Sequence, residues 1–551
     1  MKTDELNYLW SAIAINEFHN NEVTYFCLSP GSRSTPLAAA LAKNKNVTVK
    51  IFHDERSAAF HALGYAKATN TPAVVICTSG TAVANYYPAV VEAFYSNTPM
   101  IIISADRPPE LKQCGANQTI NQAGIFNKYV CWSFEVPCPT NEIDKNFILS
   151  IVDQAVFKAV SSSLPVHLNF MFREPLLPNP TLLNTNSRYL ETSFHDQPLV
   201  KLNKQKYTVN QNEIEEIASI INSSKNGLFI IGELRNEADI DSIIEMLNKT
   251  EWFIITDILS SLRFYKNLKN TIDYYESNTE KIAEILNEIE TVVKIGTPII
   301  STKINSFLET SSSIKNKIVI TDKSEYSNYS HSECSYYKTD ISILCNELAK
   351  KVHKKEKALK LIANYISNKP LKRILTEKYV SVAISKFIDS NGALFLSNSI
   401  SIRSMNMHAL RIHENIIYTA ANRGASGIDG IISTSIGYAV GVKKKTTLII
   451  GDIAFLHDCN SLSTLDMSLA SLTIVVINNH GGQIFSKLPI NEHSDIVEKF
   501  FIAPPNYSIE FISKAFFLDY TKVSSCDEFD EVYKKTQKDN AATVIEVACV
   551  K

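Results

Sequence analysis

The sequence runs to 551 residues, too long for one hydrophobic core and suited to about three domains. Its 55 Lys and Arg against 57 Asp and Glu leave a formal charge of −2, which argues against a nucleic-acid or membrane-surface binder and gives any cationic cluster a local purpose. Ten cysteines are scattered without Cys-x-x-Cys or zinc spacing; this points to a reducing cytoplasm, with most thiols as core fillers. After Met1-Lys2-Thr3-Asp4-Glu5 comes an interrupted helix-like pattern rather than a signal sequence, and no apolar run approaches a membrane span.

In chain order, β-rich runs at 23–28, 47–52, 73–77 and 100–104 alternate with helical segments, which predicts a parallel sheet. A run at 166–170 closes this domain. Residues 174–197, rich in Pro, Asn, Thr and Ser, are a predicted linker, with the first boundary at 185/186. A second α/β pattern, 186–350, has predicted strands at 228–231, 253–256, 292–295 and 318–321 and few motif-like residues. The basic stretch 350–360 is predicted as a solvated helical face leading into a third α/β segment, 351–551. The fold class is therefore α/β, in three domains, each with a mainly parallel sheet flanked by helices.

Chemistry is first legible in the third segment. The runs 448–450 and 474–477 end in Gly451-Asp452 and Asn478-Asn479. If both are buried parallel strands, joined by a crossover helix at 461–470, their carboxyl ends open into one crevice, where open α/β sheets place ligands. A carboxylate, an amide oxygen and a backbone carbonyl suit Mg²⁺, with Mn²⁺ an alternative, and a single carboxylate leaves positive charge for an anionic cofactor. Gly-Asp and Asn-Asn are also ordinary turn chemistry. Together, at this separation, they resemble the thiamine diphosphate fingerprint; many members of that superfamily carry glycine where this chain has Ile453.

In the first segment, His53-Asp54-Glu55-Arg56 opens an Ala-rich helix. Acids there are favoured as caps and by the helix dipole. Thiamine chemistry adds a second use, because a carboxylic acid hydrogen-bonded to N1′ of the aminopyrimidine makes the 4′-imino tautomer accessible beside C2, and a buried glutamate suits this exchange. Glu55 is the candidate and Asp54 its rival.

Further motifs narrow the resemblance: Ser29-Pro30-Gly31-Ser32-Arg33-Ser34-Thr35-Pro36, Thr78-Ser79-Gly80-Thr81, Ser104-Ala105-Asp106-Arg107-Pro108-Pro109-Glu110, Asn117-Gln118, and Asn422-Arg423-Gly424-Ala425-Ser426-Gly427-Ile428-Asp429-Gly430. With the two motifs above, the sequence resembles the menaquinone-pathway 2-succinyl-5-enolpyruvyl-6-hydroxy-3-cyclohexene-1-carboxylate synthases. That resemblance implies a pyrimidine-binding domain at 1–185, a central domain at 186–350 and a diphosphate-binding domain at 351–551. It also implies decarboxylation of 2-oxoglutarate on thiamine diphosphate, then conjugate addition of the four-carbon succinyl-semialdehyde carbanion equivalent to isochorismate. A homodimer or homotetramer with active sites between subunits is implied too, Glu55 of one chain facing the third domain of its partner.

Two dicarboxylate substrates call for fixed cations, preferably the bidentate fork of arginine. The motifs offer Arg33, Arg107, Arg403 and Arg423. By the family's pattern Ser32, Arg33, Arg107, Asn117 and Gln118 take the isochorismate side. Ser399 and Arg403, one turn apart on a helix face, take the 2-oxoglutarate-derived carboxylate. Arg423 lies by the reacting groups; Ile428 wedges the cofactor into its bent shape, beside Gly451 and Phe485; Gln483 and Ile484 border the reaction centre; Asp452, Asn479 and the carbonyl of Gly481 hold the metal. A departure falls in the central domain, where a usual Lys-Arg pair is Lys303-Ile304, leaving only the lysine for a carboxylate. His53, His61 and His480 sit near motifs but are expected in core or surface roles, since the chemistry needs no histidine base. The rival readings are an acetohydroxyacid synthase-like enzyme or flavin-dependent pyruvate oxidase, which need no such arginine set, and a non-catalytic thiamine-fold scaffold, which needs neither Glu55 nor Asp452 and Asn479.

Overall fold

The computed structural model describes residues 1–176, 196–203, 206–234, 237–276, 279–323, 333–353, 372–465, 471–504 and 506–549. They form two compact units. The first comprises residues 1–205 with 422–443 and 457–470; the second holds 206–421, 444–456 and 471–551.

The first unit is built on one six-stranded parallel sheet: β1 (Tyr25–Leu28), β2 (Thr48–Ile51), β3 (Ala73–Cys77), β4 (Met100–Asp106), β5 (Trp132–Val136) and β6 (Pro165–Met171), in the order β2-β1-β3-β4-β6-β5. The central strands are buried throughout and mostly apolar because both faces are covered, the polar exceptions being Ser104 and Asp106 in β4 and His167 and Asn169 in β6. Alternate residues divide between two cores: Phe26, Val74, Ile76, Ile101 and Ile103 face the helices Thr3–Asn20 and Asn146–Ser162, while Cys27, Val75, Cys77 and Ile102 face Glu55–Thr69 and Tyr87–Tyr95.

On that second side the Glu55–Thr69 helix packs against Ile431–Val442 with backbones in contact. A Cβ on Gly64 would stand 1.9 Å from the Thr434 carbonyl oxygen, and one on Gly437 1.9 Å from that of His61. Only glycine at both positions permits this approach.

The second unit carries two parallel sheets. One has the order β11-β10-β9-β7-β8, with β7 (Gly227–Ile231), β8 (Phe253–Thr256), β9 (Thr291–Ile295), β10 (Asn316–Thr321) and β11 (Ser335–Lys338). The other has the order β13-β12-β14-β15-β17-β16, with β12 (Ala393–Leu396), β13 (Tyr418–Ala421), β14 (Thr446–Gly451), β15 (Leu472–Asn478), β16 (Asp519–Val523) and β17 (Thr543–Ala548). Strands β14 and β15 are neighbours, with Gly451 beside Ile477.

Three mainly parallel sheets are thus present as predicted. The crossover differs. Asp452–His457 is helical, and the predicted helix at 461–470 begins instead within a 3-10 turn, Cys459–Thr464; residues 466–470 lie outside those described. Hydroxyls explain the tight turn: Ser461 donates to Asp458, Ser463 to the carbonyl of Asn460 and Thr464 to that of Ser461, satisfying groups an α-helix would use otherwise. The 185/186 boundary, most of the 174–197 linker and residues 354–360 of the basic stretch also fall outside the described residues. Its first residues end the helix Ile341–Lys351, where Lys350 pairs with Glu347 in solvent. Among the described residues all ten cysteines are free, five of them buried, and no helix is long and apolar enough to cross a membrane.

Candidate active site

The carboxyl ends of β14 and β15 form a loop closed by Asp452. Its Oδ2 accepts the Gly481 N–H at 2.8 Å, its Oδ1 accepts the Ile453 N–H at 2.9 Å, and Tyr507 donates to its carbonyl at 2.5 Å. The side chain is only 3 % exposed, and burial raises its pKa against the opposing pull of those N–H groups. Among the described residues it has no Lys or Arg salt-bridge partner. A buried carboxylate in this condition fits a bound cation. Gly481 sits at φ +113°, where a Cβ would meet the Ile502 carbonyl at 2.2 Å. Its carbonyl accepts the Gln483 N–H at 2.8 Å and keeps a second lone pair. Open space lies over Gly451, where a Cβ would touch nothing within 4 Å. Asn479 donates from Nδ2 to Glu377 at 2.8 Å, and its neighbour Asn478 donates to Glu546 at 2.9 Å. No cluster of three or more His, Cys, Asp or Glu side chains that could hold a metal ion is found among the described residues.

Beyond the loop, Gln483 has a buried Nε2 without a partner among the described residues, Phe485 packs on Phe501 at 4.9 Å between ring centroids, and Ile484 is half-buried. In the same unit Ser399 precedes the Ile400–His408 helix at φ +68°, and the exposed Arg403 guanidinium donates to its carbonyl at 2.7 Å. Lys303 donates to the Glu276 carbonyl at 2.9 Å, while Ile304 is 2 % exposed in the core beneath β7 and β9. An arginine at 304 would have to be buried there.

In the first unit, Asp54 is the helix cap: its carboxylate accepts from the Arg56 N–H, from Ser57 Oγ and from Asn460 Nδ2. Glu55, half-buried beside it, has no hydrogen-bond partner among the described residues. The cap role and the free carboxylate therefore belong to different acids. Arg33, 4 % exposed, donates to the Phe172 carbonyl at 2.9 Å and to Glu174 at 3.0 Å, and its buried Nε has no partner among the described residues. Burial and the nearby Arg33 charge lower the pKa of Arg107, whose guanidinium donates to Ser79 Oγ. Gln118, at φ +55°, donates to the Ser79 carbonyl at 2.9 Å, so Arg107 and Gln118 converge on one residue. Ser32 and Asn117 are exposed. Arg423 and Ile428 lie on a loop whose Gly424 and Ala425 N–H groups donate to the buried Glu92 at 2.8 and 2.7 Å. His61 is a core residue, held neutral by burial with a pKa near 3 and bonded to Tyr25 at 2.9 Å; His53 and His480 are exposed.

Comparison with known proteins gives this arrangement its context. Residues 11–125 match the N-terminal TPP-binding domain of thiamine pyrophosphate enzymes, 194–396 their middle domain and 407–547 their C-terminal TPP-binding domain. A 2-succinyl-5-enolpyruvyl-6-hydroxy-3-cyclohexene-1-carboxylate synthase of Prosthecochloris aestuarii is 39 % identical over 99 % of this chain and 95 % of its own length. The chain belongs to that synthase family. A synthase of the same name from Chlorobium chlorochromatii is 38 % identical over the same shares. The fold extends further: an enzyme from Mycobacterium smegmatis described as thiamin diphosphate-dependent superposes with TM-score 0.73 at 17 % identity, covering all of both chains.

As a member of the synthase family the chain is a thiamine diphosphate-dependent transferase. Sequence reasoning overlooked Glu377, Glu92 and Ser79, each in contact with a predicted site residue or its loop. Glu377 lies 102 positions from Asn479 and offers no local pattern. Ser79 stood inside the quoted Thr78-Ser79-Gly80-Thr81 motif, which was the available signal.

Proposed function

We propose that this chain catalyses the Mg²⁺-dependent decarboxylation of 2-oxoglutarate and the conjugate addition of the remaining four-carbon unit to isochorismate. The product is 2-succinyl-5-enolpyruvyl-6-hydroxy-3-cyclohexene-1-carboxylate, with CO₂ released. The observation that carries the reading is the buried Asp452 carboxylate, without a Lys or Arg partner among the described residues, at the ends of adjacent parallel strands, in a chain similar to the synthases along nearly its whole length. When bound, thiamine diphosphate supplies an acidic C2–H and an electron sink for the departing carboxylate.

The chain's own residues do the rest. Asp452, the Asn479 amide oxygen and the Gly481 carbonyl hold the cation against the diphosphate, Mg²⁺ before Mn²⁺ on the hardness of the donors. Glu55 holds a proton at N1′ of the aminopyrimidine, and Ile428, Gly451 and Phe485 shape the cofactor cradle. Arg33 and Arg107, with Ser32, Asn117 and Gln118, bind isochorismate; the adjacency of the two guanidiniums favours a carboxylate there. Ser399 and Arg403, with Lys303, bind the carboxylate derived from 2-oxoglutarate. Arg423, Gln483 and Ile484 border the reacting carbon, and the unpartnered Nε2 of Gln483 is available to donate to it. The active assembly is a homodimer or a dimer of dimers, in which Glu55 of one chain meets the cation loop of its partner. Free cysteines fit a cytoplasmic setting. The test is turnover with 2-oxoglutarate, isochorismate, thiamine diphosphate and Mg²⁺; competent isochorismate giving no coupled product would overturn the proposal.

A further inference from the structure

We infer that Glu377 is a positioning residue for the cation loop, acting through Asn479; this rests on the proposed reading of Asp452 and Asn479 as cation ligands. An asparagine amide presents an oxygen and an NH₂ group of nearly equal size, and a hard cation accepts only the oxygen. Something must decide which end faces the loop. The Glu377 carboxylate accepts from Asn479 Nδ2 at 2.8 Å. An ionised carboxylate has no hydrogen to donate, so it tolerates only the NH₂ end. The amide oxygen is thereby turned the other way, and no donor among the described residues meets it.

The adjacent residue shows the same device with a different outcome. Asn478 donates from Nδ2 to Glu546 at 2.9 Å, and its Oδ1 accepts the His480 N–H at 3.2 Å, so that oxygen is consumed by the turn. Two glutamates on separate elements, the Glu377–Phe387 helix and β17, thus sort two consecutive amides. One closes the loop and the other offers an oxygen. Glu377 is itself held in place: it opens a helix whose cap, Thr376, accepts the Tyr379 N–H at 3.3 Å, and it is half-buried, which limits alternative rotamers. A flipped Asn479 would set its oxygen against the Glu377 carboxylate and its NH₂ toward the cation, unfavourable at both ends.

The experiment measures Mg²⁺-dependent binding of thiamine diphosphate to the full chain by titration calorimetry, which needs no turnover. Glu377→Ala is expected to weaken Mg²⁺-dependent binding about 10- to 100-fold, the usual cost of losing a partner that orients a ligand, and Glu377→Gln, whose own NH₂ can donate to a flipped Asn479 oxygen and so no longer selects one end, is expected to weaken it as well. Asn479→Asp removes the amide that can be misoriented, so adding Glu377→Ala in that background should cost nothing. Wild-type affinity in Glu377→Ala or in Glu377→Gln, or the same loss with and without Asn479→Asp, would each overturn the inference. If wild type itself binds without Mg²⁺ dependence, the ligand reading fails rather than the orientation argument alone. Should Glu377→Ala unfold, the Gln variant and the Asp background still decide.

Discussion

Truncating Glu92 should be among the most damaging single changes in the first unit. Its carboxylate is 3 % exposed; one oxygen accepts the Gly424 N–H at 2.8 Å, the other the Ala425 N–H at 2.7 Å, and the Lys67 ammonium, also buried, stands 3.6 Å away. Alanine removes the only charge among these contacts that can face both donors and the ammonium. Removing one partner of a buried pair costs about 3–5 kcal/mol. The two charge-assisted hydrogen bonds, at about 1.5–3 kcal/mol each, describe the same loss from the backbone side and are not added to it. Glutamine keeps one acceptor oxygen but turns an NH₂ toward a backbone N–H and also leaves the buried Lys67 ammonium without its charged partner, so Glu92→Gln is expected to cost about as much as the alanine change, about 3–5 kcal/mol. Urea unfolding followed by circular dichroism reads both variants, with an unchanged slope showing that stability rather than compactness moved. An alanine or glutamine variant within about 1 kcal/mol of wild type would refute the reasoning.

Gly64→Ala should lose about 2 kcal/mol or more in the same assay, because the new methyl would strike the Thr434 backbone and overpacking outweighs the gain of about 1 kcal/mol in helix propensity; unchanged stability would mean the helices can separate freely. Glu17, pushed up to about 7 chiefly by burial and then by its neighbour Asp153, favours folding fully below its usual carboxyl range and loses that contribution as pH rises through about 7. The thermal unfolding midpoint should therefore fall between about pH 4.5 and 7 (the interval between the unfolded and folded titrations) more steeply in wild type than in Glu17→Gln; parallel curves would remove Glu17 as the cause. Glu55→Gln should bind thiamine diphosphate yet lose most C2–H exchange by NMR, and an unchanged exchange rate would dismiss it. Mixing Glu55→Gln with Asp452→Ala chains should restore activity through one intact site per mixed dimer; no recovery after verified subunit exchange would place both residues in one chain's site.

The sheets were readable where strands are buried on both faces. Val74, Val75 and Ile76, or Ile474 to Ile477, are apolar without interruption because helices cover both sides, and such runs stand out. The edges were not. Strand β5 alternates half-buried and exposed residues, and β11 is Ser-Tyr-Tyr-Lys with no fully buried position; each is held by one neighbour's hydrogen bonds, which leave no mark in composition. The neighbouring strand ends that carry Asp452 and Asn478 were visible because β14 and β15 are apolar runs paired in register; the bond from the Gly481 N–H to Asp452 was not predicted. Glu377 was invisible, since its contact is made only after a fold brings helix and loop together. Ile304 shows the reverse: an odd residue in the motif became explicable once its burial was known.

The discontinuity of the first unit bears on how the chain is made. Residues 1–205 lack the helix Ile431–Val442, against whose backbone the Glu55–Thr69 helix fits, until more than two hundred further residues have been translated. At about 5–20 residues per second the ribosome takes roughly 10–40 s to supply it. Through that interval Gly64 and the small residues around it face no partner helix of their own chain. A chain ending near residue 205 would keep that helix face without its partner.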